Sequence, residues 1–210
     1  VDRADLWKSP QGNFLRIIDY KTGTKKFDYT DLTGGAGMQM LLYLFALERS
    51  GLPGITEQVT PAGVLYLPAR RDFRSASSPQ DEKAEAGPSP RSGVMLSEFG
   101  VPEAMEHGDA PQYMPTKRGK LDMDYVLSQQ QFTELRDYVE DRMAQVVDRI
   151  LGGYFPPKPL YRGMSHDPCS WCQYGSVCQK EPQFRKSCYH PSITPREFWG
   201  LFSTGENDDG

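Results

Sequence analysis

The sequence predicts an α/β fold: a mixed central sheet flanked by helices, followed by a cysteine-rich C-terminal tail. Three observations carry this. Strand-like runs open the chain and recur at 62–69 and 93–98, a strongly periodic helical segment covers 128–151, and all four cysteines fall between 169 and 188. The 210 residues, 38% hydrophobic and 25% charged, supply apolar material for a real core, which excludes a disordered tail and a fibre. No apolar stretch approaches the ~20 residues a membrane-spanning helix needs. The 38–47 run is interrupted by Gln39. No secretory signal pattern is present, so a cytoplasmic setting without a membrane partner is expected. Twenty glycines and 17 prolines mark a loop-rich fold. The chain opens on Val1 inside an apolar/polar alternation, as expected of a piece of a longer polypeptide.

Residues 1–7 and 14–21 read as two strands joined by the turn formers Ser9-Pro10-Gln11-Gly12-Asn13. Side chains alternate along a strand, so Leu15, Ile17, Asp19 and Lys21 share one face. A hairpin register in which paired numbers sum to 21 sets Asp2 opposite Asp19 and Asp5 opposite Arg16. A slip of one residue would send Asp2 to the other face. Residues 31–50 are densely apolar and predict one helix buried on most sides, with Gln39 and Tyr43 on a common face at i and i+4. The run Ala-Gly-Val-Leu-Tyr-Leu-Pro-Ala at 62–69 predicts a central strand. Residues 75–92, with nothing apolar larger than Ala, predict a surface loop. A strand at 93–98 and a short helix at 101–107 follow.

The clearest helix is 128–151, where Phe132, Leu135, Val139, Met143, Val146 and Ile150 recur at steps of three and four. Ser128 and Gln131 form a capping box at its start, and Gly152-Gly153 supplies the stop. Residues 154–168, rich in proline, form an extended connector into the tail. The organisation expected is therefore a core over 1–160, carrying an insertion at about 75–92, and a tail over 161–210.

The excess of 28 Asp+Glu over 24 Lys+Arg does not decide for or against nucleic acid. A site built of carboxylates can sit in an acidic protein that binds DNA along one basic track. Lys21 to Lys26, Arg70-Arg71 and Lys117 to Lys120 are short basic runs able to contact phosphates.

The stretch Ile17-Ile18-Asp19-Tyr20-Lys21-Thr22-Gly23 sets an acid and a lysine two residues apart at the end of an apolar strand. Asp2 joins them from the neighbouring strand. Two hard oxygen ligands suit Mg²⁺ or Mn²⁺, which keep several waters and accept phosphate oxygens as further ligands. Such an ion can activate a water and polarise a phosphodiester, while Lys21 holds the water or offsets phosphate charge. The competing reading is a polar strand end with Asp19 and Lys21 solvated.

Asp2, the Asp19-Tyr20-Lys21 segment and Gln39-x-x-x-Tyr43 together resemble the PD-(D/E)xK nuclease superfamily, in its RecB-like branch. The likeness extends over nearly the whole chain to the C-terminal nuclease domains of the AddB family of helicase-nuclease subunits. It implies a restriction-endonuclease-like core and a metal-dependent DNA exonuclease acting in double-strand break processing with an AddA-like partner. It implies Asp2, Asp19 and Lys21 as catalytic residues, with Asp2, Asp19 and the Tyr20 carbonyl as Mg²⁺ ligands. Gln39 and Tyr43 would position the DNA strand or brace the site. The family usually has a helix upstream of the first acid, often with a further His or Glu ligand, so the metal site within these residues is expected to be incomplete. Asp5 is a second candidate for the first acid, but is expected to pair with Arg16.

Clustered cysteines in a cytoplasmic setting favour metal or cluster ligation over disulfides. Spacing alone leaves Zn²⁺ and an iron-sulfur cluster open. The resemblance implies a four-iron four-sulfur cluster held by Cys169, Cys172 and Cys178, with a fourth cysteine upstream and Cys188 a bystander. His166 and His190 read as exposed loop histidines rather than zinc ligands. Two alternatives stand beside the leading reading: an iron-sulfur exonuclease of the CRISPR-adaptation type, and a catalytically silent DNA-binding or assembly module.

Overall fold

The computed structural model describes residues 2–23, 25–52, 54, 57–69, 91–105, 114–117, 120–164, 167–178 and 188–203. The chain divides into two compact units, Val1–Phe27 with Gly37–Val139, and Asp28–Ala36 with Glu140–Gly210. Most of the 75–92 insertion, Arg70-Arg71, Arg118, His107 and His166 lie outside the described residues.

In the first unit, β1 (Arg3–Ser9) and β2 (Gly12–Lys21) form the expected antiparallel hairpin across a turn at Pro10-Gln11. Every pair from Arg3↔Ile18 to Ser9↔Gly12 sums to 21, with Asp5 opposite Arg16. The tight turn at Pro10-Gln11 pins this register, since loop length sets the pairing in a hairpin, whereas β2 itself is buried on both faces from Phe14 to Ile18. The strand β3 (Val59–Pro68) pairs parallel with β2, reached through α2 (Gln39–Ser50), which packs on both strands. A parallel neighbour needs such a crossover. β4 (Ser92–Leu96) runs antiparallel to β3, and β7 (Val126–Leu127) parallel to β4. The mixed sheet therefore has the order β1-β2-β3-β4-β7, with β3 central as its unbroken apolar run predicts. Between β4 and β7 lie a short helix α3 (Val101–Met105), a minor ladder of β5 (Thr116–Lys117) with β6 (Lys120–Leu121), and a 3₁₀ turn at Met123–Tyr125.

Two expectations meet physical limits. The helix predicted at 31–50 is two helices, α1 (Tyr29–Thr33) and α2, divided by Gly34-Gly35-Ala36-Gly37. Gly35 and Gly37 hold φ of 79° and 71°, the left-handed region in which a helix cannot continue. The long helix α4 (Gln129–Leu151) begins at the foreseen capping box, Gln131 N–H to Ser128 Oγ at 3.2 Å and Ser128 N–H to Gln131 Oε1 at 2.9 Å. Its stripe is buried at Phe132, Leu135 and Val139, whereas Val146 and Ile150 are exposed.

The second unit gathers α1 with the C-terminal segments. Asp28 caps α1, accepting from Thr30 N–H at 2.8 Å, and Arg162 bonds Asp28 at 2.9 Å and Asp31 at 3.1 Å. Tyr29 stacks on Phe198 at 4.5 Å, and Thr30 Oγ1 accepts the Ile193 N–H at 3.1 Å. Gly34 lets Leu160 sit close, since a Cβ there would lie 2.5 Å from Leu160 Cδ1 and force that side chain to turn. The tail carries a 3₁₀ turn at Pro168–Trp171, then α5 (Gly175–Cys178) and α6 (Pro195–Gly200), the last with a complete capping box of Thr194 and Glu197.

Burial pushes the Asp28 carboxyl up, but the bonds from Arg162 and Thr30 outweigh it and hold the group below its usual 3.8. A depressed carboxylate stabilises the fold fully above its unfolded value and loses that contribution as pH falls through the lower folded value. Asp28→Ala, which removes cap and partly exposed ion pair together, is expected to cost about 1–2 kcal/mol at pH 7. The difference in thermal midpoint from wild type should shrink as the pH is taken below about 3.8, as calorimetry across pH would read.

Candidate active site

The site is assembled by the hairpin. Asp19 sits on β2 two residues from its end, and Asp2 immediately precedes β1, where the register brings it beside Asp19. Asp2 Oδ2 accepts the Tyr20 N–H at 2.8 Å. That backbone bond first, then the hydrogen bond with the Asp19 side chain, holds the Asp2 carboxyl below the usual carboxylate range. Lys21, on the same face of β2, forms an ion pair with Asp19 Oδ2. Two carboxylates and one ammonium thus converge at one corner of the sheet, beside the C-terminal end of β2. This is the convergence expected of Asp2, Asp19 and Lys21 from the alternation of the two strands.

Asp5, the rival first acid, is committed elsewhere. Arg16 Nη2 bonds its Oδ2 at 2.6 Å and Arg3 Nε its Oδ1 at 2.5 Å. Burial raises the Asp5 carboxyl, but the Arg16 and Arg3 bonds bring it below the usual range. Its odd position in β1 also sets it on the face opposite to Asp2.

Gln39 and Tyr43 open α2 on one face, and Gln39 Nε2 donates to the Tyr43 hydroxyl at 3.0 Å. Among the described residues, neither bonds Asp2, Asp19 or Lys21. Tyr20 is exposed, and its backbone N–H serves Asp2. One neighbour not singled out from the sequence is Tyr66 of β3, the register partner of Asp19, whose ring centroid lies 6.0 Å from Lys21 Nζ. Only the pairing of β2 with β3, a long-range feature, reveals it.

The donor set of the corner is two hard carboxylates, one of them stabilised in its charged form. Mg²⁺ is commonly bound by one or two carboxylates with waters and substrate phosphates completing its shell, so the pair fits that ion. Among the described residues, no three His, Cys, Asp or Glu side chains gather into a group able to hold a metal, and this holds for the tail thiols too. Cys169, Cys172 and Cys178 form no disulfide among the described residues, and the last two are exposed; they lie in two tight turns linked by the Gly175 N–H to Cys172 O bond at 3.2 Å. As placed they do not converge, so a four-thiolate cluster does not fit these residues by themselves. Cys188 is buried, and His190 Nε2 lies 2.9 Å from Thr33 Oγ1.

Among the described residues, no helix is long and apolar enough to cross a membrane. The chain is similar to bacterial proteins named as one subunit of an ATP-dependent helicase/deoxyribonuclease. The Clostridium tetani protein is 29% identical over 199 residues, covering 90% of this chain and 17% of the relative. The Ruminiclostridium cellulolyticum protein is 30% identical over 200 residues, covering 88% and 17%, and that of Acetivibrio thermocellus 27% over 220 residues, covering 99% and 19%. The chain thus spans less than a fifth of the length of these relatives. The family model of the PD-(D/E)XK nuclease superfamily matches residues 1–179, which take in the hairpin, α2, the sheet and three of the four cysteines. With a mixed five-stranded sheet flanked by helices and an Asp-x-Lys strand meeting an acid just before its hairpin partner, the chain belongs to the PD-(D/E)XK nuclease superfamily.

Proposed function

We propose that this chain is the nuclease domain of an AddB-like helicase-nuclease subunit, a Mg²⁺-dependent exonuclease that hydrolyses DNA phosphodiester bonds during double-strand break processing and recombinational repair. The observation that carries the reading is the meeting of Asp2, Asp19 and Lys21 at one sheet corner, with Asp2 fixed by the Tyr20 N–H at 2.8 Å. The relatives' name supports a subunit of a larger helicase-nuclease that acts on DNA, and the same reading gives it an AddA-like partner in the cytoplasm.

Asp2 and Asp19, with the Tyr20 carbonyl, would hold the ion, which supplies Lewis-acid polarisation of the phosphodiester and a more acidic water. Asp19 also anchors Lys21, whose ammonium donates to the attacking water or to a phosphate oxygen and offsets the charge that grows in the transition state. In hydrolysis the water oxygen forms a bond to phosphorus, the bond to one sugar oxygen breaks, and that oxygen takes up a proton. Gln39 and Tyr43, paired on the first turns of α2, offer an amide and a phenol to steer the strand. The test is degradation of linear DNA against covalently closed circular DNA by the intact protein in Mg²⁺. Loss of linear DNA from its ends with the circle intact is expected, whereas cleavage of the circle, or no cleavage of either, contradicts the exonuclease reading.

The Cys-x2-Cys-x5-Cys spacing within ten residues supports a further part of the proposal, that Cys169, Cys172 and Cys178 supply three thiolates to a four-iron four-sulfur cluster whose fourth ligand comes from outside these residues. No catalytic step runs through it. Anaerobically purified intact protein is expected to contain iron and sulfide near four of each, lost on Cys172→Ala. Stoichiometric zinc without iron would overturn the cluster.

A further inference from the structure

We propose that Tyr66 is a positioning residue of the candidate active site, holding the Lys21 ammonium in place through the face of its ring. The proposal rests on the role given to Lys21 under the proposed function and deepens it. Parallel pairing makes Tyr66 the register partner of Asp19, and register partners on adjacent strands project from the same side of the sheet. Tyr66 is buried at 5% exposure, on a strand paired along both edges, so its ring is a fixed surface. Lys21 Nζ stands 6.0 Å from the ring centroid, at the outer reach of the attraction between a cation and an aromatic quadrupole.

The lysine needs such a support. Its side chain is 38% exposed, on a flexible four-carbon stem, and it pairs with the Asp19 carboxylate. Asp19 cannot serve a divalent ion and the ammonium at full strength together, because both draw on the same carboxylate oxygens. The Tyr66 ring is neutral and competes for none of those lone pairs. It continues to attract the ammonium when Asp19 turns to another cation. This contact uses the ring and not the hydroxyl, so Phe should replace Tyr66 and an aliphatic side chain should not.

The test compares Tyr66→Phe and Tyr66→Leu in the intact protein, in the wild-type and Lys21→Ala backgrounds, by steady-state hydrolysis of end-labelled linear DNA in Mg²⁺. Tyr66→Leu is expected to lower kcat about threefold with KM held, while Tyr66→Phe retains wild-type kcat. In the Lys21→Ala background the Leu substitution should add no loss, the non-additivity of residues acting through one another. A readout independent of activity is the Lys21 ε-methylene resonance, assigned by its disappearance in Lys21→Arg. It should be displaced upfield by the ring, keep that displacement in Tyr66→Phe and lose it in Tyr66→Leu. If Tyr66→Leu fails to fold, Tyr66→Met serves the same comparison. Unchanged kcat in the aliphatic variant, equal losses in both backgrounds, or a resonance indifferent to residue 66 would each overturn the proposal. Should wild-type protein hydrolyse no DNA, the proposed function fails, and the resonance alone still decides whether Tyr66 holds Lys21.

Discussion

Asp19→Asn is expected to lower the rate of Mg²⁺-dependent DNA hydrolysis by roughly a thousandfold, the size of effect seen when one preorganised charge partner is taken from a transition state. Two functions end in the same substitution. In the proposed site the amide oxygen would be a weaker, uncharged ligand, leaving the ion to Asp2 with little help. The ion pair between Lys21 and Asp19 is also lost, leaving the ammonium less firmly held. The fold should be nearly indifferent, because Asp19 lies at the sheet corner and Asn is its isostere. A thermal midpoint close to wild type, together with a collapsed kcat, is the combination that assigns Asp19 to chemistry. Retention of more than about a tenth of wild-type activity would remove it from the site.

Gly93→Ala is expected to have the largest effect on stability. The strands β3 and β4 approach closely where Gly63 and Gly93 face the opposing backbone. A Cβ on Gly93 would lie 1.9 Å from the Val64 carbonyl oxygen, and one on Gly63 would lie 2.4 Å from the Val94 carbonyl oxygen. These neighbours are backbone atoms of a paired sheet, so neither can rotate aside. Gly63 adds a φ of 150°, which L side chains rarely adopt. The strands must separate locally, disturbing a layer that includes the fully buried Leu65 and Val94. A cost of about 3 kcal/mol, at the upper end for overpacking, translates to a fall in thermal midpoint of roughly 6–12 °C. Calorimetry of the two alanine variants checks this, and midpoints within a degree or two of wild type would show that the sheet has slack here.

The hairpin register is legible in the sequence because parity is unforgiving. Asp2 and Asp19 share a face only if paired numbers have an odd sum, and stand directly opposite only if that sum is 21, as it is. The start of α4 is legible for an equally local reason, since the Ser128 and Gln131 capping box lies within four residues. Apolar density misleads where glycine outweighs it. The run from Met38 to Leu47 conceals that Gly34 to Gly37 separates α1 from α2, and that Asp28–Ala36 belongs with the C-terminal segments through Arg162, Ile193 and Phe198. Those partners lie more than 130 positions away, beyond any local pattern. Periodicity identifies the α4 stripe as helical, yet it cannot say that burial ends after Val139 while Val146 and Ile150 remain exposed. In the site, Asp2, Asp19 and Lys21 follow from strand alternation, whereas Tyr66 requires the parallel register of β3 against β2.

The most direct measurement is Mn²⁺ binding followed by electron paramagnetic resonance, comparing intact wild-type protein with Asp2→Asn, Asp19→Asn and Lys21→Ala. If Asp2 and Asp19 share a divalent ion, each Asn variant should bind one equivalent fewer than wild type. Lys21→Ala should bind the full complement, since the ammonium is no ligand. Equal binding by wild type and Asp19→Asn would contradict a metal site at this corner, and with it the metal-dependent cleavage assigned to Asp2, Asp19 and Lys21.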